Sequence, residues 1–403
     1  MDTVSTAESI DIAELENDPS PFYTRMRHEA PVTWVPVLDG WLVSRWDEAA
    51  EILGDPTRWG AAPNVPIFDR VAGGTSVLGT DGAKHADMRA GVDAAVAPQA
   101  VLGYVDAVVR PIAQKYLERF QHRGRADLTA EYFEPISVEA LRHVMGLAPY
   151  VDAETLVRWF HDLAAGSANH VDDPEVWAAT DRATAEIEQI VGPVLDRLRR
   201  EGPSEGMLSH MVFAARDSGE ARTNAEIYPN LKVVLLGGMQ EPGHAGANTM
   251  FGLLSNPGQL AEVREDLDLI PAAVQEGLRW ISALGTAERR AIGDQTVGGV
   301  TVPDGALVYV PLHSVNRDET RFEQPNAFDI NRKRKPHLAF GGGEHFCAGH
   351  FFARHVMKIM LEELIPALPG ARLDPESNPV VTGFMFRAAV KLPAAWDVRS
   401  DQN

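Results

Sequence analysis

The single cysteine among 403 residues, Cys347, lies in FGGGEHFCAG (Phe340 to Gly349), and a helical pattern follows at once. Three successive glycines, Gly341, Gly342 and Gly343, permit backbone conformations and close approaches that a side chain would block, so a large flat ligand can sit against this loop. Backbone N–H groups and the start of a helix beside the thiol are expected to lower its pKa and hold a thiolate donor. One thiolate suits an axial iron ligand. The competing reading is that Cys347 is an ordinary small buried hydrophobe; the glycine-rich loop and the helix start favour the ligand. Two further pairs have chemical spacing: Glu276 and Arg279, three apart on one helix face, and His85 and Arg89, one helical turn apart.

The elements that must position these residues are mostly helical. Apolar residues recur three and four apart between Arg110 and Leu198, as in Ile112, Tyr116, Leu117 and Phe120, and again in Ile187, Ile190, Val191, Val194 and Leu195. Helix returns after Cys347, from His350 to Leu364. Short β-like pieces at Val32–Val35 and Trp41–Ser44, with Leu38, Asp39 and Gly40 between them, read as a hairpin, and Gln295–Val310 forms a second β-like cluster. No repeat or long flexible linker divides the chain. The expectation is one domain over residues 1–403, mainly α with a minor β-sheet region, preceded by a polar arm over residues 1–20. With 37 Lys and Arg against 57 Asp and Glu, the net charge of −20 repels polyanions, so no nucleic-acid partner is expected. A lone cysteine cannot form an internal disulfide, the N-terminus is acidic without an apolar signal core, and no run of about 18 apolar residues occurs. A cytoplasmic protein with no membrane partner is the expectation.

The cysteine segment resembles the haem-binding loop of cytochrome P-450 enzymes, Phe-Gly-x-Gly-x-His-x-Cys-x-Gly. Phe340, Gly341, Gly343, His345, Cys347 and Gly349 match every fixed position. His85 and Arg89 match the family's His-x-x-x-Arg, Glu276 and Arg279 its Glu-x-x-Arg, and residues 316–332 look like the stretch before the haem loop. The resemblance runs from about residue 20 to the C-terminus. It implies the cytochrome P-450 fold, haem b (iron protoporphyrin IX), and Cys347 as the proximal metal ligand, with Phe340 and Gly341 part of the cofactor loop. Glu276 and Arg279 are then a buried structural brace. His85, Arg89, Arg289 and His345 face the two haem propionates, with Arg290 the runner-up for Arg289.

Residues 232–249, KVVLLGGMQEPGHAGANT, look like the family's long helix over the distal haem face, but they depart from its pattern. Gly237 and Gly238 match the small pair; the positions of the usual acid and threonine hold Gln240 and Glu241, and Pro242 follows. Proline lacks an N–H and clashes with the carbonyl of Gly238, four residues back, so the helix should open there. A partly desolvated Glu241 would have a raised pKa and could shuttle a proton between the oxygens of hydrogen peroxide; the competing role is to cap the broken turn. The Gln-Glu-Pro-Gly-His run is similar to bacterial P-450 enzymes that O-demethylate methoxyphenols such as guaiacol and syringol. That resemblance implies pocket walls at Ala72, Val77, Leu78, Ser167, Val234, Gly237, Ala287 and Phe386, against a core-packing role for the same residues. Small residues at Ala72 and Ser167, where some members carry phenylalanine, favour syringol over guaiacol. The oxidant is either dioxygen with an electron-donor protein or hydrogen peroxide. Two other functions fit the same residues: a reductase-driven monooxygenase of another hydrophobic substrate such as a terpene or polyketide, and a haem sensor or carrier without turnover.

Overall fold

The computed structural model describes residues 10–61, 65–169, 171–214 and 220–398. The helices that build the site are α1 (Val65–Ala72), α2 (Gly82–Val96), α3 (Pro98–Glu118), α4 (Glu134–Val144), α5 (Ala153–Ser167), α6 (Pro174–Glu201), α7 (Asn224–Gly238), α8 (Glu241–Ser255), α9 (Ile270–Trp280) and α10 (His350–Ala367). The strands beside them are β1 (Val32–Val35), β2 (Gly40–Val43), β3 (Trp59–Ala61), β4 (Thr286–Ala291) and β5 (Leu307–Pro311). The architecture is the expected one, mainly helical with a small sheet region.

β1 and β2 form the hairpin, with Val32 opposite Val43 and Val35 opposite Gly40. Its turn is longer than expected: Pro36–Leu38 make a 3-10 turn and Asp39 takes a left-handed conformation at φ 46°. The sheet order is β1-β2-β5-β4-β3, with β2 parallel to β5 and the other pairs antiparallel. Gln295–Val297 and Val300–Val302 pair only with each other. At the N-terminal end, residues 10–20 are not a free arm. Ile12–Asn17 is helical, capped by the Asp11 side chain, with Leu15 fully buried; residues 1–9 of the expected arm lie outside the described residues.

The core gathers along α8, which packs on α4, α9 and α10. Gly243 permits the approach to α4, since a Cβ there would lie 2.7 Å from the Phe133 carbonyl oxygen. α10 lies along α3, and Tyr132 donates to the Met360 carbonyl at 2.8 Å, fixing α10 against the segment before α4. Glu276 and Arg279, 5% and 2% exposed, pair in bidentate fashion at 2.8 and 2.6 Å. Arg279 also donates to the carbonyls of Asn316, Pro325 and Ala327, while Glu276 accepts from the Asp329 N–H and Arg332. One buried ion pair thereby ties α9 to the loop that leads into the cysteine segment. Removing one partner of such a pair strands a buried charge, at a cost of about 3–5 kcal/mol. Among the described residues no single helix is long and apolar enough to cross a membrane.

Candidate active site

The cysteine loop is shaped by two left-handed glycines, Gly341 at φ 70° and Gly343 at φ 65°. A side chain at Gly343 would collide with the Leu53 carbonyl oxygen, so only glycine fits there. The Cys347 N–H donates to the Phe340 carbonyl at 3.0 Å, and the His350 ring sits 3.0 Å from the Cys347 carbonyl oxygen. Cys347 keeps accessible surface at the head of α10 although protein surrounds it. One expectation is corrected here. Burial pushes the thiol pKa up, outweighing the Gly349 N–H and the Arg89 and Arg354 guanidinium groups that pull it down. The loop by itself therefore favours the neutral thiol, and a thiolate there would need the compensating charge of a coordinated cation.

Glu241 is also among the charges acting on that thiol, which puts the carboxylate within electrostatic reach of the sulfur. α7 ends at Gly238 and α8 begins at Glu241, so the helix breaks where Pro242 requires it. Backbone N–H groups of the open turn act on the Glu241 carboxylate, yet its buried Oε2 has no hydrogen-bond partner. Burial raises its pKa to about 7, against smaller lowering effects from its own N–H, His244 and the Gln240 N–H. One carboxylate therefore meets the broken turn and still presents an unpaired oxygen. Gln240 precedes it as the first residue of the new helix end, with no side-chain capping bond. The two glycines before the break differ. Gly237 is exposed and an added Cβ would meet nothing within 4 Å, whereas at Gly238 it would press on Leu141 at 3.0 Å.

The expected propionate partners lie around His85, on which His345, Arg89 and Arg289 all act. His85 on α2 is 4% exposed with Nε2 unpartnered, and its ring lies 4.4 Å from that of His345. Burial, first, and then the neighbouring His345 and Arg89 lower the His85 pKa to about 4. His345 is also lowered by burial. Both rings are therefore hydrogen-bonding groups rather than cations near neutral pH. Arg289 is 8% exposed and acts on both histidines. Strand alternation in β4 separates the two arginines: Arg289 is buried, while Arg290 turns away and donates to the Gly305 carbonyl at 2.6 Å. Arg89 acts on both His85 and Cys347. It binds Asp93 at 2.8 Å and donates to the Phe346 carbonyl at 2.9 Å, bracing the cysteine loop from α2. Asp81, which sequence reasoning missed, accepts from the Ala61 N–H and pairs with His345 Nε2, both at 2.9 Å. Its only signal was a carboxylate at the start of α2, one turn before His85.

Arg289→Gln is expected to speed haem loss about ten- to hundredfold, the worth of a charge-assisted hydrogen bond at about 1.5–3 kcal/mol. Arg290→Gln should leave it near wild type; transfer of haem to an acceptor globin measures both.

The eight expected pocket residues divide by exposure. Ala72, Val77 and Ala287 are covered by protein, at 1%, 6% and 8% exposed, and act as packing rather than as open wall. Leu78, Ser167, Val234, Gly237 and Phe386 retain accessible surface. α1, α5 and α7 pack mutually, which brings the Ala72, Ser167 and Val234 segments together. The Ser167 hydroxyl folds back onto the Ala164 carbonyl at 2.8 Å, so it offers no free donor. Phe386 belongs to a separate segment, bridged to Leu284 just before β4.

Comparison with known proteins agrees with this fold and loop. A family model for cytochrome P-450 matches residues 258–368, the span from before α9 through the cysteine loop and α10. Nocardicin C N-oxygenase of Nocardia uniformis subsp. tsuyamanensis is 31% identical over 94% of this chain and 96% of its own length. A putative cytochrome P-450, YjiB, of Bacillus subtilis is 28% identical over 91% and 92%. The crystal structure of CalO2 superposes with a TM-score of 0.87 at 27% identity, covering 97% of this chain and 98% of that one. The chain belongs to the cytochrome P-450 family, and haem b is its cofactor. The residues fit the group: an accessible thiol in a glycine cradle, an unpartnered His85 nitrogen, a buried Arg289, and an open glycine wall at Gly237.

Proposed function

We propose that this cytochrome P-450 monooxygenase O-demethylates a small methoxyphenol, a syringol-type dimethoxyphenol in preference to guaiacol, and that it uses hydrogen peroxide directly through Glu241. The observation that carries the reading is the buried Glu241 carboxylate with its unpaired Oε2, standing where most family members place a threonine. The names of the relatives do not choose a substrate, since they include an N-oxygenase and a C-19 steroid 1alpha-hydroxylase. The Gln240-Glu241-Pro242-Gly243-His244 run and the small Ser167 support the methoxyphenol class. Haem b, when bound, supplies the oxidising chemistry at the methyl group.

This chain's own residues have three tasks. Cys347 ligates the metal. Glu241 accepts a proton from one peroxide oxygen and returns it to the other, so that the O–O bond breaks with water as the leaving group. Leu78, Ser167, Val234, Gly237 and Phe386 hold the methoxy carbon toward the oxidant and narrow its approach. In balance, the aryl methyl ether and hydrogen peroxide give the phenol, formaldehyde and water. Gln240, beside Glu241 at the open turn, is the second residue assigned to this proton chemistry, as a hydrogen-bonding group that orients peroxide.

The test is the holoenzyme with syringol, guaiacol and a non-phenolic control, each supplied with peroxide or with an electron-donor system, scoring formaldehyde. Syringol with peroxide is expected to yield one formaldehyde per methyl lost. Tighter binding of guaiacol, read from haem spectral shifts, would overturn the size preference. Absence of formaldehyde with both oxidants would overturn the demethylase reading and leave the carrier.

A further inference from the structure

Three residues after Glu241, His244 leaves α8 toward α4 and meets Glu134, with Nε2 2.8 Å from Oε1. His244 is 7% exposed, whereas the Glu134 side chain is 32% exposed and reaches solvent. Gly243 allows the close helix approach that puts these two side chains together. Glu134 from α4 pairs with His244, and Glu241 on its own helix is among the groups His244 acts on; Phe133, the other close neighbour of α8 there, has no titratable group. A buried imidazole thus pairs with a partly exposed carboxylate and, three residues along its own helix, acts electrostatically on a buried carboxylate lacking a partner on Oε2.

The use of such a line depends on the oxidant. Hydrogen peroxide brings both of its protons, so Glu241 alone can shift one between the oxygens. Dioxygen brings none. Inserting one of its atoms into a C–H bond and releasing the other as water consumes two electrons from a donor protein and two protons from bulk water. The peroxide chemistry of Glu241 leaves His244 and Glu134 unused, whereas the dioxygen chemistry of this family requires a path of this kind.

We propose that Glu134 and His244 form a proton inlet that recharges Glu241 from solvent and so couples dioxygen turnover to a donor protein. This rests on the reading of Glu241 as the proton-transfer group. Glu134 takes a proton from water. Its O–H bond breaks as an N–H forms at His244 Nε2; the Nδ1–H then breaks as an O–H forms on Glu241 over one bridging water, and a ring flip restores the starting tautomer. Two passages per turnover supply the two protons. His244 and Glu134 are positioning and relay residues that act through Glu241.

The experiment compares H244Q, E134Q and E241Q holoenzymes with syringol, once with a ferredoxin and its reductase and once with peroxide. Glutamine at position 244 keeps an N–H for Glu134 but cannot pass a proton, and E134Q sits at a half-exposed position where folding is safe. In both relay variants the ratio of donor-driven to peroxide-driven product is expected to fall about tenfold, with more hydrogen peroxide released per electron pair and a larger solvent isotope effect. The infrared C=O stretch of protonated Glu241, identified by its loss in E241Q, should titrate at higher pH in H244Q, because His244 lowers that pKa. Wild-type coupling and isotope effect in H244Q, with peroxide turnover lost in E241Q, would overturn the inlet and leave the role of Glu241 standing. Wild-type turnover of E241Q with both oxidants would overturn both.

Discussion

Cys347→Ser is expected to remove the red-shifted Soret band of the reduced, carbon-monoxide-treated protein and to abolish turnover with either oxidant, while haem still binds. Burial already pushes the thiol pKa up, so the sulfur would become a thiolate only where a metal cation compensates its charge. A serine hydroxyl ionises far less readily and is a harder, poorer donor, so the same burial keeps it neutral and the strong electron push of the axial ligand disappears. Haem binding survives because it does not rest on one bond. His85 keeps an unpartnered Nε2, Arg289 remains buried beside it, and Gly341 and Gly343 keep the loop open. Optical spectra of the reduced carbon monoxide complex check the ligand, and a pyridine haemochrome assay checks the haem content. A variant that kept the red-shifted band would disprove ligation by Cys347 and, with it, every role assigned across the site.

What could be read beforehand depended on how far apart the partners lie along the chain. The Glu276–Arg279 pair, the break before Pro242 and the cysteine loop were all legible, because each is fixed within a few residues by helical spacing, a missing N–H or glycine freedom. The hairpin was legible for the same reason, apart from its Pro36–Leu38 turn. Asp81 was invisible because its partner His345 is 264 positions away, and Glu134 because His244 is 110 away. The opposite placement of Arg289 and Arg290 follows from strand phase, which β4 pairing with both β3 and β5 supplies. β3 itself was unreadable, since three residues carry no periodicity.

The details that local spacing does not supply share a cause. Arg89 is expected at a propionate because of its spacing from His85, and the fold adds Asp93, one turn further on, and the Phe346 carbonyl as partners of the same guanidinium. The thiol was expected to be acidic because local N–H groups favour a thiolate; desolvation by the whole fold is a larger, non-local effect that a loop sequence does not encode. Ala72 was expected to enlarge a pocket, yet it is packed over, so any extra room must come through what it lets move closer. Its neighbour Gly73 lies against the buried Lys232 ammonium.

Glu241→Gln is expected to lower peroxide-driven turnover by about 10²–10⁴-fold, the range lost when a positioned proton-transfer group is removed, with little change in the carbon monoxide spectrum. Glutamine keeps the shape and the helix end but cannot accept a proton, so it separates proton transfer from capping. Glu241→Thr installs the alcohol most family members carry and should lose peroxide activity similarly. The pH dependence fixes the direction of the first transfer. Burial raises the Glu241 pKa from 4.5 to about 7, so the carboxylate that must accept the first proton dominates only above that pH. Peroxide-driven kcat should therefore rise through about pH 7 and level off in the wild type, and the Gln variant should lack that limb. Stability should run the opposite way. A pKa raised by folding favours the folded state below the ordinary value, and this contribution is lost as pH rises through about 7. The Gln variant, with nothing to ionise, should gain stability relative to the wild type as the medium goes from pH 5 to pH 8, as thermal unfolding at the two pH values would measure. A role confined to capping predicts near-normal peroxide turnover in the Gln variant, and that result would end the peroxide assignment.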